Sequence, residues 1–361
     1  QPCDRPHHRT GDDERGTSKP QYVDHHDHEI VAPDADTRVR TRVTDSFTLM
    51  PEDKVQHGHR YGSVVAAKEA FLAGDNITAA VREQEGVDAN PPHAIEIAYE
   101  MQSGEYAQGA RSDPSRWDNY GKAIAEELAP HLTAGGTLLD CGTGEMTSLT
   151  STLNHTAVSV EAKAFDISWS RIAQGRRFVD DHLASSKTIQ SFVGDMAAIA
   201  VAAGSVDLAM TVHALEPNGG REAELLSSLF AVSRRTVVLF EPCYENASDE
   251  ARHRMERHGY VRNLAAIGEE LGATLVSLSP FALPVNPLNP TWVYVFDVPA
   301  VDRETNTASA FECPVTNTPL IDLGDCWFSE QAGLAYPVIG GIPVLRADHA
   351  ILASQRTGLL D

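Results

Sequence analysis

Apolar positions along the chain follow two regimes: helical spacing in the first third, and short continuous runs divided by turn residues after it. In the first regime Val64, Val65, Ala67, Ala70 and Phe71, then Ile77, Ala80 and Val81, predict two short helices over 63–82 broken at Gly74-Asp75. Pro92 suits the first turn of another helix running through Met101, because that turn has no use for the N–H proline lacks. Residues 117–128 predict a helix leading into the first apolar run.

The second regime begins at Thr137-Leu138-Leu139-Asp140-Cys141-Gly142-Thr143-Gly144-Glu145, an apolar strand ending in an acidic residue and a glycine turn that opens a helix over 146–153. Further strands are predicted over 158–165, 188–193, 206–212 and 236–240, with helices over 222–233 and, interrupted near Gly259, over 249–271. Residues 273–278 and 291–298 complete a sheet of about seven strands. The link between this last pair is too short for a helical crossover, so the two are expected to be antiparallel. Alternating strands and helices predict an α/β fold with a largely parallel sheet.

The strand ends carry the chemistry. Gly142 and Gly144 permit turn geometries closed to residues with a Cβ and let a ligand approach the main chain. The free N–H groups of the next helix point to the same spot. About twenty residues on, the second strand ends at Asp166-Ile167-Ser168, where a carboxylate can accept both hydroxyls of a ribose, and Ser168 or Ser170 suits a helix N-cap. The third strand ends at Gly194-Asp195-Met196 and the fourth at His213. In an open parallel sheet these ends line one crevice, so Asp140, Asp166, Asp195 and His213 should converge.

This series resembles the class I S-adenosylmethionine-dependent methyltransferases, over roughly residues 115–298. The resemblance implies a Rossmann-like seven-stranded methyltransferase sheet. It also implies that the Asp140, Cys141, Gly142, Thr143 and Gly144 loop holds the methionine end of the cofactor. Asp166 would hold the ribose and Asp195 with Met196 the adenine, and Ile167, Gly194 and His213 would also contact the cofactor. Met146 stands where many members keep a third glycine. A nicotinamide dinucleotide is the rival cofactor, but its fingerprint needs a glycine at Thr147, and Asp140 would repel a pyrophosphate. In the resembled family, N-terminal helices often cover the cofactor as a lid, which would bring Tyr106, Trp117 and Tyr120 toward ligand.

Methyl transfer needs a general base only where the acceptor must lose a proton. His213, Glu216 and Glu241, at the ends of the fourth and fifth strands, are the candidates, although Glu216 could pair with Arg221 on its own loop. The run Asn286-Pro287-Leu288-Asn289-Pro290 reads as a proline-rich turn.

A different character begins near residue 302. Phe311-Glu312-Cys313-Pro314 and the run from Leu334 to Leu345, with Tyr336-Pro337 and Gly341-Ile342-Pro343-Val344, predict a small β-rich module. It is similar to a short zinc-ribbon-like protein that serves as an activating subunit of tRNA, rRNA and release-factor methyltransferases. Zinc is not expected, because Thr316 replaces the second cysteine of the pair and only Cys313 and Cys326 remain. The module is expected to dock on the catalytic domain and cover an apolar face or a sheet edge.

The expected organisation is a disordered leader over 1–45, a helical lid over 46–114, the cofactor-binding domain over 115–301 and the module over 302–361. The leader's histidines at 7, 8, 25, 26 and 28 have no metal-ligand spacing. The chain has 361 residues and is 42% hydrophobic, and its most apolar stretch, 196–210, is interrupted by Gly204 and Asp207, so no membrane span is expected. Five irregularly placed cysteines and a polar N-terminus point to a reduced, cytoplasmic setting. A net charge of −22 repels phosphate backbones and favours a small organic acceptor with an O or N nucleophile over RNA; a high-salt host would give the same acidity. The alternatives are a methyltransferase for RNA or a translation factor, which the module's resemblance supports, and a non-catalytic cofactor-binding scaffold. The number of subunits is open.

Overall fold

The computed structural model describes residues 61–283, 286, 288–299 and 310–355. The expected leader with its histidines and the first part of the lid lie outside the described residues. Helices α1 (Val64–Ala73), α2 (Ile77–Glu85), α3 (Pro92–Met101) and α4 (Glu105–Ser112) precede α5 (Pro114–Leu128). Gly74 ends α1 in the left-handed conformation, as the Gly74-Asp75 break predicts, and a proline opens α3. Helix α4 has no counterpart in the predicted elements: its apolar content is mainly alanine, too weak a periodic signal to stand out.

Seven strands follow: β1 (Gly136–Cys141), β2 (Val160–Asp166), β3 (Ile189–Val193), β4 (Val206–Val212), β5 (Ser233–Pro242), β6 (Thr274–Pro280) and β7 (Thr291–Asp297). Their order is β3-β2-β1-β4-β5-β7-β6. The first five are parallel, and β7 runs antiparallel to both β5 and β6, the orientation their short link requires.

Both faces of the sheet are covered, which is why its strands read as continuous apolar runs. Leu138, Ala164, Met210 and Phe240 pack with Ile124 and Leu128 of α5 and with Leu149 and Leu153 of α6 (Thr147–His155). Leu139, Phe165, Ala209 and Leu239 pack on the other side with α8 (Glu222–Val232) and Leu264 of α10 (Leu264–Glu270). Helix α7 (Trp169–His182) follows β2, with Ser168 capping it as expected. Helix α9 (Asp249–His258) ends at Gly259 in the left-handed conformation, which accounts for the interruption in the predicted stretch.

The C-terminal part forms a small antiparallel sheet from β8 (Ile321–Asp322), β9 (Cys326–Ser329), β10 (Leu334–Ile339), β11 (Ile342–Pro343) and β12 (Ile351–Leu352). It shares the core of the large sheet: Phe311 meets Phe192 edge-on at 4.9 Å and Trp327 at 4.8 Å. Val344 bridges to Val193 in parallel, and Leu345 N–H donates to the Val193 carbonyl at 2.8 Å. An otherwise open edge at the end of β3 is thereby covered.

Cys313 Sγ lies 3.2 Å from the Tyr336 hydroxyl. Among the described residues, no group of three His, Cys, Asp or Glu side chains could hold a metal ion, and no helix is long and apolar enough to cross a membrane. Cys141, Cys243, Cys313 and Cys326 are buried.

Candidate functional site

The order of the parallel strands reverses between β1 and β4, and at such a switch point the two following helices leave on opposite faces and open a crevice. A cleft of about 590 Å³ occupies this place. Its floor is the loop after β1. Gly142 and Gly144 have φ of 77° and 58°, and a Cβ on Gly142 would stand 2.4 Å from the Ala214 side chain. Glycine is required at both positions by the left-handed φ and by the close approach of Ala214 to Gly142 and of the Arg171 guanidinium to Gly144.

Asp140 is 3% exposed. Its Oδ2 accepts a hydrogen bond from the Thr143 hydroxyl at 2.6 Å, and its Oδ1 has no partner among the described residues. Burial pushes its pKa up to about 7, with the Thr143 hydroxyl opposing and Asp166 adding to the rise. Asp166 is anchored differently: Oδ2 accepts from the Gly144 N–H at 2.8 Å and Oδ1 from the Ser168 N–H at 2.9 Å. Each oxygen keeps a lone pair for another donor.

The N-terminal helices are fastened to this floor by carboxylates. Glu145, 1% exposed, accepts from Gly104 N–H at 2.8 Å and Ala107 N–H at 2.7 Å, so the loop after β1 itself caps the N-terminus of α4. Glu100 of α3 accepts from the Ser168 and Ser170 hydroxyls and from the Ser170 N–H at the start of α7. Arg171 stands between the rings of Tyr99 and Tyr106, 4.8 Å from each centroid, with Nη1 3.9 Å from Asp166 Oδ2.

At the ends of β4 and β5 lie the three candidate bases. His213 has φ of 54°, a conformation few non-glycine residues adopt. Its Nδ1 lies 2.8 Å from Glu216 Oε2 and its Nε2 2.9 Å from the Thr291 hydroxyl. Burial acts to lower its pKa, but the carboxylates of Glu216 and Glu241 outweigh that and hold it above the usual value. Glu241, fully buried, accepts from three backbone N–H groups, those of Ala214 at 2.9 Å, Leu215 at 3.0 Å and Glu216 at 3.1 Å. Burial pushes its pKa up to about 7, His213 opposing and Glu216 reinforcing.

Asp140, Gly142, Thr143, Gly144, Asp166, Ile167, Gly194, Asp195, Met196 and His213 all line the cleft, together with Tyr106, Trp117 and Tyr120. Cys141 is fully buried in the core on the α8 side, because successive residues of a strand point to opposite faces. Glu216 and Glu241 lie behind the cleft wall, and Glu216 does not pair with Arg221, which instead reaches Glu224 at 2.9 Å. Sequence reasoning missed Asn289 and Thr291. The Asn289 amide donates to Glu216 Oε2 at 2.9 Å, so the proline-rich turn supports the His213 and Glu216 pair. It also missed Glu145 and Arg171, for which Glu145's place directly after the glycine turn was the available signal.

Strand order and the antiparallel β7 define a Rossmann-like seven-stranded sheet. No protein-family profile matches the sequence, and no curated protein resembles it in sequence. Solved structures do align with it. Magnesium protoporphyrin IX methyltransferase from Synechocystis PCC 6803, with bound SAH, is 13% identical over 50% of this chain and 83% of that one, at a TM-score of 0.41. A chain from the complex between the Haloferax volcanii Trm112 methyltransferase activator and a methyltransferase is 15% identical over 56% of this chain and 99% of that one, at 0.43. A SAM-dependent methyltransferase from Aquifex aeolicus is 14% identical over 52% of this chain and 94% of that one, at 0.40.

Proposed function

We propose that the protein is an S-adenosylmethionine-dependent methyltransferase acting on an O or N nucleophile of a small organic acceptor. The observation that carries this reading is the meeting of the Gly142 to Gly144 loop, Asp140, Asp166 and Asp195 in one cleft at the strand-order reversal. The residues fit the cofactor: the unpartnered, buried Asp140 Oδ1 suits an ammonium group, and Gly142 and Gly144 line the cleft beside it. When bound, S-adenosylmethionine supplies a methyl group already activated by its sulfonium.

In this reading the chain binds, orients and dries the site. Asp140 takes the methionine ammonium, Asp166 uses its remaining lone pairs for ribose hydroxyls, and Ile167, Gly194, Asp195 and Met196 flank the adenine. Tyr106, Trp117 and Tyr120, in edge-to-face series with centroids 6.4 and 6.1 Å apart, exclude water and offer the acceptor an apolar wall. Where the acceptor must lose a proton, His213 Nε2 receives it once the Thr291 hydroxyl turns away. Glu216 steadies the resulting imidazolium through Nδ1, and Glu241 fixes the loop that carries both. The acidic surface supports a small acceptor over a phosphate backbone.

Calorimetric titration with S-adenosylhomocysteine, beside a nicotinamide dinucleotide and repeated on Asp166→Ala, tests the reading. Binding of the former alone, lost in the variant, is the expected result. A folded wild-type protein that binds neither would sink it.

A further inference from the structure

The C-terminal module sends one side chain into the interior between the two walls of the cleft. Beyond β11 the chain lies against the end of β3, held by the Leu345 N–H bond to Val193, and the next residue is Arg346. Arg346 is only 1% exposed. A buried guanidinium is strongly unfavourable unless its N–H groups find acceptors, so its partners report what it is there to hold. Nη1 lies 2.8 Å from Glu96 Oε1 on the lid helix α3 and 3.4 Å from the carbonyl of Ile167, and Nη2 lies 3.0 Å from Asp348. Asp195 lies within its electrostatic reach.

These partners belong to opposite sides of the cleft. Ile167 follows β2 and Asp195 follows β3, and both line the cleft from the sheet side, whereas Glu96 shares α3 with Ile95 and Tyr99, which line it from the lid. Glu96 also accepts from the Tyr61 hydroxyl at 3.1 Å, and His349 lies 2.7 Å from that hydroxyl. One planar fork thus joins the module, the floor and the lid, a geometry that lysine, with a single point of charge, cannot reproduce.

We infer that Arg346 is a positioning residue for the cofactor, holding helix α3 over the loops after β2 and β3. The inference rests on the methyltransferase reading for the identity of the ligand, but the latch itself does not. A purely structural ion pair would change stability alone. A latch across the cleft changes cofactor affinity in protein that is fully folded, because each binding event must then order the lid again.

The test measures S-adenosylhomocysteine affinity by calorimetry and amide hydrogen exchange over residues 92–101, both well below the melting transition of each full-length variant. Arg346→Gln is expected to weaken binding about tenfold, equivalent to about 1.4 kcal/mol. Exchange in 92–101 should rise more than in 334–345. Arg346→Lys should recover part of the affinity, because it restores the charge without the fork. Glu96→Gln reports on the same contact from the lid side if Arg346→Gln does not fold. Unchanged affinity and unchanged exchange in 92–101 would overturn the inference, even with a lowered melting temperature. If wild type does not bind S-adenosylhomocysteine, the functional reading fails, and exchange in 92–101 still decides the latch by itself.

Discussion

His213 Nδ1 lies 2.8 Å from Glu216 Oε2, and the N–H of that same Glu216 is held at 3.1 Å by the carboxylate of Glu241. The two carboxylates have distinct duties. Glu216 faces the imidazole, whereas Glu241 spends both oxygens on the backbone of the loop that carries it. Glu241 therefore sets the geometry, and Glu216 sets the charge.

Removing that charge reverses the balance at His213. In Glu216→Gln, burial is left to act against a weaker opposing field, and the His213 pKa is expected to fall below its wild-type value. A raised folded-state pKa adds stability that is fully present below the unfolded value of about 6.5 and is lost as pH rises through the folded value. The stability gap between wild type and variant should thus be widest on the acid side of that value, between about pH 5 and 6.5. NMR titration of the ring nitrogens checks the shift, and a pKa that stays put would show that Glu216 is not its source.

Glu145→Gln should loosen the lid. A glutamine can accept from Gly104 N–H or Ala107 N–H through its one carbonyl, but its amide then confronts the other N–H with a second donor. An unsatisfied buried donor costs about 1–3 kcal/mol. Denaturant unfolding should register a loss of that size, with faster amide exchange over Glu105–Ser112. Protection of α4 equal to wild type would mean the cap is dispensable.

On the proposed function, Asp140 should make cofactor binding depend on pH. With its pKa pushed up to about 7 in the free protein, an ammonium ligand must displace a proton in acid, and affinity for S-adenosylhomocysteine should fall by up to about tenfold per pH unit below 7. Asp140→Asn should bind weakly at every pH and lose this slope. Stability carries the opposite sign: the folded state binds the extra proton between the unfolded value of about 3.9 and 7, so the Asp140 contribution declines as pH rises through that window. A pH-independent wild-type affinity would remove Asp140 from the ammonium site.

Met146 takes the left-handed conformation at φ 53°, where glycine would sit without strain. Met146→Gly relieves about 1–2 kcal/mol of backbone strain. It also empties a site 1% exposed in the core beside Leu149 and Leu153, a loss of about 2–5 kcal/mol for a buried methionine cut to alanine. The cavity outweighs the strain, and a net destabilisation of about 1–3 kcal/mol is expected by chemical denaturation. A stabilised variant would show that the side chain contributes little packing.

The sequence by itself determined the parallel strands, the turn at Gly142 to Gly144, the strand-end acids and the antiparallel final pair. Each of these is written in neighbouring residues: continuous apolar runs, a glycine with no Cβ, a link too short to cross over. Only the tertiary structure decided which polar groups hold the site together. Asn289 reaches Glu216 across 73 residues, Gly104 reaches Glu145 across 41, and Arg346 reaches Ile167 across 179. A proline-rich turn, a glycine before a short helix or a lone arginine looks like ordinary surface when read locally. Burial makes each of them specific, because a polar group taken out of water must be matched by a partner, and topology chooses which partner is there.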